Sequence, residues 1–140
     1  MRRSILPILA ALLPLNSHAQ EAATTEQIQI ELNAATTDQQ SCHLTFVVQN
    51  ELPDPIEDLV LETVLFTTDG QVDRLTLFSF GALPAGRQRV RQFAVDGLAC
   101  DKLGRVLFNG TEQCVGETLT PAACEGALKA STRTNIEVLQ

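Results

Sequence analysis

Cys42-His-Leu-Thr-Phe-Val-Val-Gln-Asn50, Leu59-Val-Leu-Glu-Thr-Val-Leu-Phe66, Leu75-Thr-Leu-Phe-Ser-Phe80 and Arg89-Val-Arg-Gln-Phe-Ala-Val95 follow one another along the chain, with Asp69-Gly70 between the second and third and Cys100 closing the series. Val, Leu, Phe and Thr crowd these runs, apolar and polar residues alternate within them, and Pro, Gly, Asp and Asn punctuate them. That combination specifies antiparallel β-strands rather than helices, because successive side chains of a strand point to opposite faces. In the first run Cys42, Leu44, Phe46 and Val48 share one face and His43, Thr45, Val47 and Gln49 the other, so Cys42 is expected to point into a core. Ile56 to Phe66 is apolar on both parities around Glu62, the pattern of a central strand covered on more of its surface than its neighbours.

The joints between the runs are equally readable. Asn50-Glu-Leu-Pro-Asp-Pro55 turns the chain, since each proline lacks a donor and forces the residue before it out of the helical region. Asp69-Gly70 suits a tight hairpin, and Gly81-Ala-Leu-Pro-Ala-Gly86 is a further turn. Between Arg87 and Val95 the apolar parity changes from Val90 to Phe93 and Val95, which a β-bulge near Arg91-Gln92 would explain. Upstream, Ile28, Ile30 and Leu32 alternate with polar residues as a first strand, and Asn33 to Gln40 reads as a loop. Downstream, Leu103 to Phe108 is a strand ending at Asn109-Gly110. Thr120-Pro121 caps a short helix from Ala122 to Ala130 with Cys124 and Leu128 on one face, and Asn135 to Leu139 is the last strand. The fold expected is mainly β: a seven-stranded, immunoglobulin-like antiparallel sandwich with one short helix near the C-terminus and two disulfides.

A length of 140 residues fits one domain preceded by an export signal. Met1-Arg2-Arg3 is cationic, Ile5 to Leu15 is apolar, and Ser17-His18-Ala19 offers small residues at the positions signal peptidase reads. We therefore expect residues 1–19 to be a cleaved signal peptide, 20–27 a flexible lead and 28–140 a single β-sandwich domain. The apolar run falls short of the roughly 20 residues that span a bilayer, and Pro7 and Pro14 interrupt it, so no membrane span is expected after cleavage. Arg2-Arg3-Ser4-Ile5-Leu6 also resembles a twin-arginine signal, and the general and twin-arginine export routes both stay open. Removing residues 1–19 takes away two arginines and no acid, leaving 8 basic against 17 acidic residues, a balance that argues against nucleic acid or anionic lipid as partner.

Four cysteines, Cys42, Cys100, Cys114 and Cys124, behind an export signal read as two disulfides in a periplasmic or secreted protein. In a sandwich the start of the second strand lies near the end of the fifth, which favours Cys42 with Cys100 and Cys114 with Cys124; the alternative joins Cys42 to Cys124 and Cys100 to Cys114. Their wide spacing lacks the close pairs of a zinc site. His43, the one histidine left after signal removal, falls on the outer parity of a strand, and no Gly-x-Ser-x-Gly or free cysteine supports nucleophilic catalysis. Glu51, Asp54, Glu57 and Asp58 cluster at a turn, and Asp69 and Asp73 at a hairpin; these are ordinary places for surface acids, and we expect neither metal nor cofactor there. Arg87, Arg89 and Arg91 share one strand parity in an acidic protein. Such a row can grip an anionic ligand or an acidic partner, or it can pair with acids such as Asp73 or Glu62 while protecting an edge strand. Asn109-Gly110-Thr111 matches a glycosylation sequon, although Asn-Gly is first a turn signal.

The block from Leu61 to Leu75, with Leu83-Pro-Ala-Gly86, Arg89-Val-Arg-Gln-Phe93 and Gly97-Leu-Ala-Cys100, resembles a family of small exported alphaproteobacterial proteins that carry a twin-arginine signal sequence and have no assigned activity. It is also similar to small immunoglobulin-like domains of bacterial envelopes. The resemblance covers about Cys42 to Cys124 and implies a periplasmic compartment and a fold, with no catalytic residue. The expected function is a non-enzymatic binding or structural accessory role with a protein or envelope partner, through an edge strand or the tentative binding row Arg87, Arg89 and Arg91. The alternatives are a small secreted hydrolase or metal-dependent enzyme, and a secreted inhibitor presenting the loop from Glu51 to Pro55.

Overall fold

A computed structural model describes residues 25–140; the expected signal peptide and residues 20–24 of the lead lie outside the described residues. Strands β1 (Ile28–Asp38), β2 (Ser41–Asn50), β5 (Gln88–Val95) and β7 (Leu128–Thr132) form the first sheet, in the order β5-β2-β1-β7. Strands β3 (Ile56–Thr67), β4 (Val72–Leu83), β6 (Leu103–Val115) and β8 (Glu137–Leu139) form the second, in the order β4-β3-β6-β8. A helix, α1 (Pro121–Ala127), joins β6 to β7. The protein is a mainly β, two-sheet sandwich of eight strands, not seven.

The extra strand comes from the end of the expected helix. Thr120 caps α1 by accepting from the Ala123 N–H, with Pro121 in the first turn, but the helix stops at Ala127 and Leu128 is already extended. Gly126 weakens the last turn, and a helix this short has little stability of its own. Leu128–Thr132 instead gains a ladder with Ile28–Leu32 and buries Leu128. That ladder is parallel, as is β6 with β8, so the sandwich is not antiparallel throughout.

Three other expectations yield to pairing. Most of the expected loop from Asn33 to Gln40 is strand, with a register shift between Leu32 and Ala34; the hairpin loop is Gln39-Gln40, both at positive φ. Asn109-Gly110 does not end β6, because β3 is long enough to carry its ladder on to Val115 across further register shifts. No bulge interrupts β5: its register with β2 is continuous from Cys42 opposite Val95 to Gln49 opposite Gln88, and Val90 simply faces solvent.

The inner faces meet around Phe46, whose ring lies 5.8 to 6.0 Å from those of Phe78, Phe80, Phe93 and Phe108. Phe78 and Phe93, on opposite sheets, stack at 4.2 Å. Edge-to-face and offset aromatic pairs contribute about 1 kcal/mol each beyond the area they bury, so this cluster locks the sheets face to face. The cysteines pair as Cys42 with Cys100 and Cys114 with Cys124. The first ties the start of β2 to Cys100, in the 3-10 turn between β5 and β6, and the second anchors α1 on β6. Asn50, fully buried, donates through Nδ2 to the Asp54 and Leu83 carbonyls at 3.0 and 2.9 Å, while its Oδ1 accepts from the Leu52 N–H at 3.0 Å. One amide thus holds the 51–55 turn against the end of β4.

Candidate functional site

The two sheets differ on their outer faces. Along β3, Leu59, Leu61, Thr63 and Leu65 point inward, so Val60, Glu62, Val64 and Phe66 point out. Cross-strand partners share a face, which sets Leu75, Val64, Leu107 and Leu139 in one apolar row across all four strands of the second sheet. On one side of this row lie Val72 and Phe66, with the Arg105 guanidinium 5.4 Å from the Phe66 ring and paired at 2.8 Å with Glu137. On the other side Leu77 stands opposite Glu62, whose carboxylate accepts from the Asn109 amide. Leu75 is 62% exposed and Leu77 53%. Val60 and Val64 are buried yet stand outside the core cluster, because their neighbours on the outer face cover them. Of the six large apolar side chains left exposed among the described residues, Val72, Leu75, Leu77, Val115 and Leu139 stand on the second sheet and only Val90 on the first.

The outer face of the first sheet is mostly polar, with Val47 opposite Val90 as its apolar pair. It presents Gln29, Glu31, Thr45, Gln49 and Gln92, the last donating to the Thr45 hydroxyl at 3.1 Å. His43 sits there between Thr36 and Ala94. The Glu31 carboxyl is held below its usual range, first by the Asn33 amide at 3.1 Å and then by Arg133 at 2.9 Å.

Strands β4 and β5 are the edges of opposite sheets on the same flank, and the arginine row lies between them. Arg89 is opposite Val48 and Arg91 opposite Phe46, so both take the inward parity at an edge where no further strand follows. Arg91 donates through Nε to the Phe80 carbonyl at 2.6 Å, through Nη2 to Ala82 at 3.0 Å and through Nη1 to Val90 at 3.1 Å. Arg89 donates to the Gln88 carbonyl at 2.9 Å. Main-chain carbonyls of two edge strands are therefore covered by guanidinium groups; Asp73 pairs instead with Arg74, and Arg87 stands exposed at the end of the crossover. On the opposite flank the Gln140 amide does a similar job on β7, accepting from the Ala130 N–H and donating to the Leu128 carbonyl.

The remaining candidates are dispersed. Asp54 accepts from the Thr118 hydroxyl at 2.9 Å in an open cleft of about 470 Å³, and Glu51 accepts from Gln29. Leu52 packs on the core, so the 51–55 turn is pinned. A second open cleft of about 490 Å³ lies between α1 and β6, where Glu125 accepts from the Thr111 N–H. Among the described residues no three of His, Cys, Asp and Glu converge as metal ligands would, and no helix is long and apolar enough to cross a membrane. The two disulfides belong to an oxidising, extracytoplasmic environment.

The apolar outer face escaped the reading of the sequence although its residues were visible. The double-parity apolarity of Ile56 to Phe66 was its signal, and read as a central strand covered on more of its surface than its neighbours; in the folded chain only the inner side has a second layer.

No family model matches the chain, and no curated protein matches its sequence. Among solved structures the chain is similar to IrmA from Escherichia coli, with 14% sequence identity over 74% of this chain and 90% of that one and a TM-score of 0.48.

Proposed function

We propose that this is an exported, non-enzymatic binding module, periplasmic or secreted, which docks a protein or envelope partner on the outer face of its second sheet. The observation that carries this reading is the segregation of exposed apolar residues: one outer face holds Leu75, Leu77, Val72 and Leu139 around a buried Val64, while the other leaves only Val90 exposed among polar residues. A contiguous exposed apolar patch is costly to a soluble protein and marks an interaction surface. The edge route is less well supported, since Arg89 and Arg91 already occupy carbonyls that an added strand would pair with on the β4 and β5 flank. Pairing of β2 with β5 and of β3 with β6 supports an immunoglobulin-like variant, in which the parallel β7 and β8 depart from the standard arrangement.

The test is capture from a periplasmic extract with wild-type bait, a Leu75→Asp/Leu77→Asp variant and an Arg87→Glu variant, after confirming that all three melt alike. A partner held by wild type and Arg87→Glu but lost from the leucine variant supports the reading. Loss from Arg87→Glu alone moves the site to the flank. A hydrolytic activity abolished by Asp54→Asn overturns the non-enzymatic assignment.

A further inference from the structure

The apolar row and its neighbours span four strands and about three side-chain rows, an area on the order of 400 Å² once side chains are included. A standard interface covers about 800 Å² per partner, and these rows already include Glu62, Arg105 and Glu137, so the apolar part supplies at most half of what a specific complex needs. The other half must come from the rim, and the rim is where polar and charged groups decide which surface fits.

That rim is acidic. On the outer face Asp58 lies opposite Val115, Glu62 opposite Leu77 and Glu137 at the β8 edge, with Asp73 at the register shift beside Val72. Arg105 is spent on Glu137 and Arg74 on Asp73, which leaves Asp58 and Glu62 without a cationic partner among the described residues, in a chain whose formal net charge is −7. Resting on the docking face proposed above, we infer that the partner is a protein surface with an apolar centre and a basic rim. A second copy of this chain is the poorer occupant: each face would bring the same excess of acid from Asp58 and Glu62 and no basic rim to meet it, and an excess of like charge across an interface selects against a partner.

The experiment uses two synthetic β-hairpin peptides with one shared Val/Leu face, rimmed by Lys in the first and by Glu in the second, titrated into the purified protein with leucine methyl groups observed by NMR. Methyl signals of Leu75, Leu77, Leu107 and Leu139 are expected to shift with the Lys hairpin, at an affinity about tenfold above that for the Glu hairpin, the gap closing as salt is added. Asp58→Asn/Glu62→Gln is expected to abolish the preference while the same methyls still respond. Equal affinity of the two hairpins at these methyls overturns the basic-rim inference and leaves the docking face standing. Shifts confined to other methyls overturn the face as well. Concentration-dependent dimerisation that moves the same methyls and is lost in Leu75→Asp names the second copy as occupant, and overturns the inference too.

Discussion

Replacing Asn50 tests how the second sheet is held to the first. The side chain is fully buried and makes three hydrogen bonds of 2.9 to 3.0 Å, two donated to carbonyls and one accepted from an N–H. At roughly 1 kcal/mol for each bond, with buried partners left unpaired, Asn50→Ala is expected to cost about 3 kcal/mol. Against a total of about 5–15 kcal/mol for a domain of this size the variant still folds, and its urea midpoint falls by about 1.5 M for a slope of about 2 kcal/mol per M. Asn50→Asp sharpens the test. A carboxylate cannot donate to the Asp54 and Leu83 carbonyls, so the folded state disfavours the charged form and raises the aspartate pKa above its unfolded value. Between those two values the native state binds more protons than the unfolded one, and stability falls as pH rises, by 1.36 kcal/mol for each unit of the raised pKa. Urea unfolding of wild type and both variants at about pH 4 and about pH 7 is the assay. The Asn50→Asp penalty relative to wild type must grow between the two, and the Asn50→Ala penalty must not. Equal penalties for Asn50→Asp at both values, or an Asn50→Ala variant as stable as wild type, would refute the reasoning.

Two further predictions concern the cross-links and the flank. Closing the 58-residue separation of Cys42 and Cys100 is worth about 4 kcal/mol in the chain-entropy model, against about 3 kcal/mol for the 10-residue separation of Cys114 and Cys124. Denaturant unfolding of the two double-alanine variants should give that order, and the reverse order would sink the entropic account. Arg91→Ala uncovers three carbonyls and Arg89→Ala one. The first should therefore lose about 1–2 kcal/mol and self-associate with concentration in light scattering, the second much less; indistinguishable behaviour of the two would refute the flank-sealing role.

Strands whose pattern is local were legible in the sequence. The alternation from Cys42 to Gln49 set the inward face of β2, and Thr120-Pro121 marked the start of α1. What was not legible depended on a distant partner. Leu128-Lys129-Ala130 suits a helix by propensity and becomes a strand only because Ile28–Leu32 offers it a ladder. Asn109-Gly110 is a turn signal overruled by the length of β3, and the change of parity at Val90 invited a bulge where the chain merely leaves one valine in solvent. The candidate face had the same fate. Val60, Val64, Leu75 and Leu107 were plainly apolar, but whether a second layer covers them is a property of the whole sandwich. The arginine row was legible as an edge device, whereas its partners, main-chain carbonyls rather than acids, were not.

The order of the cysteines along the chain carries a consequence for how the protein matures. Each half-cystine pairs with the next one in sequence, Cys42 with Cys100 and Cys114 with Cys124, so the two covalent loops neither overlap nor nest. On any route that delivers the chain unfolded and N-terminus first to an oxidant, each bond meets its right partner first. The first bond can close once the chain is present through Cys100, just past β5, before either later cysteine is available to compete, and the second then secures α1 on β6. An oxidase alone can complete such a chain, with no cycle of breaking and re-forming wrong bonds by thiol exchange.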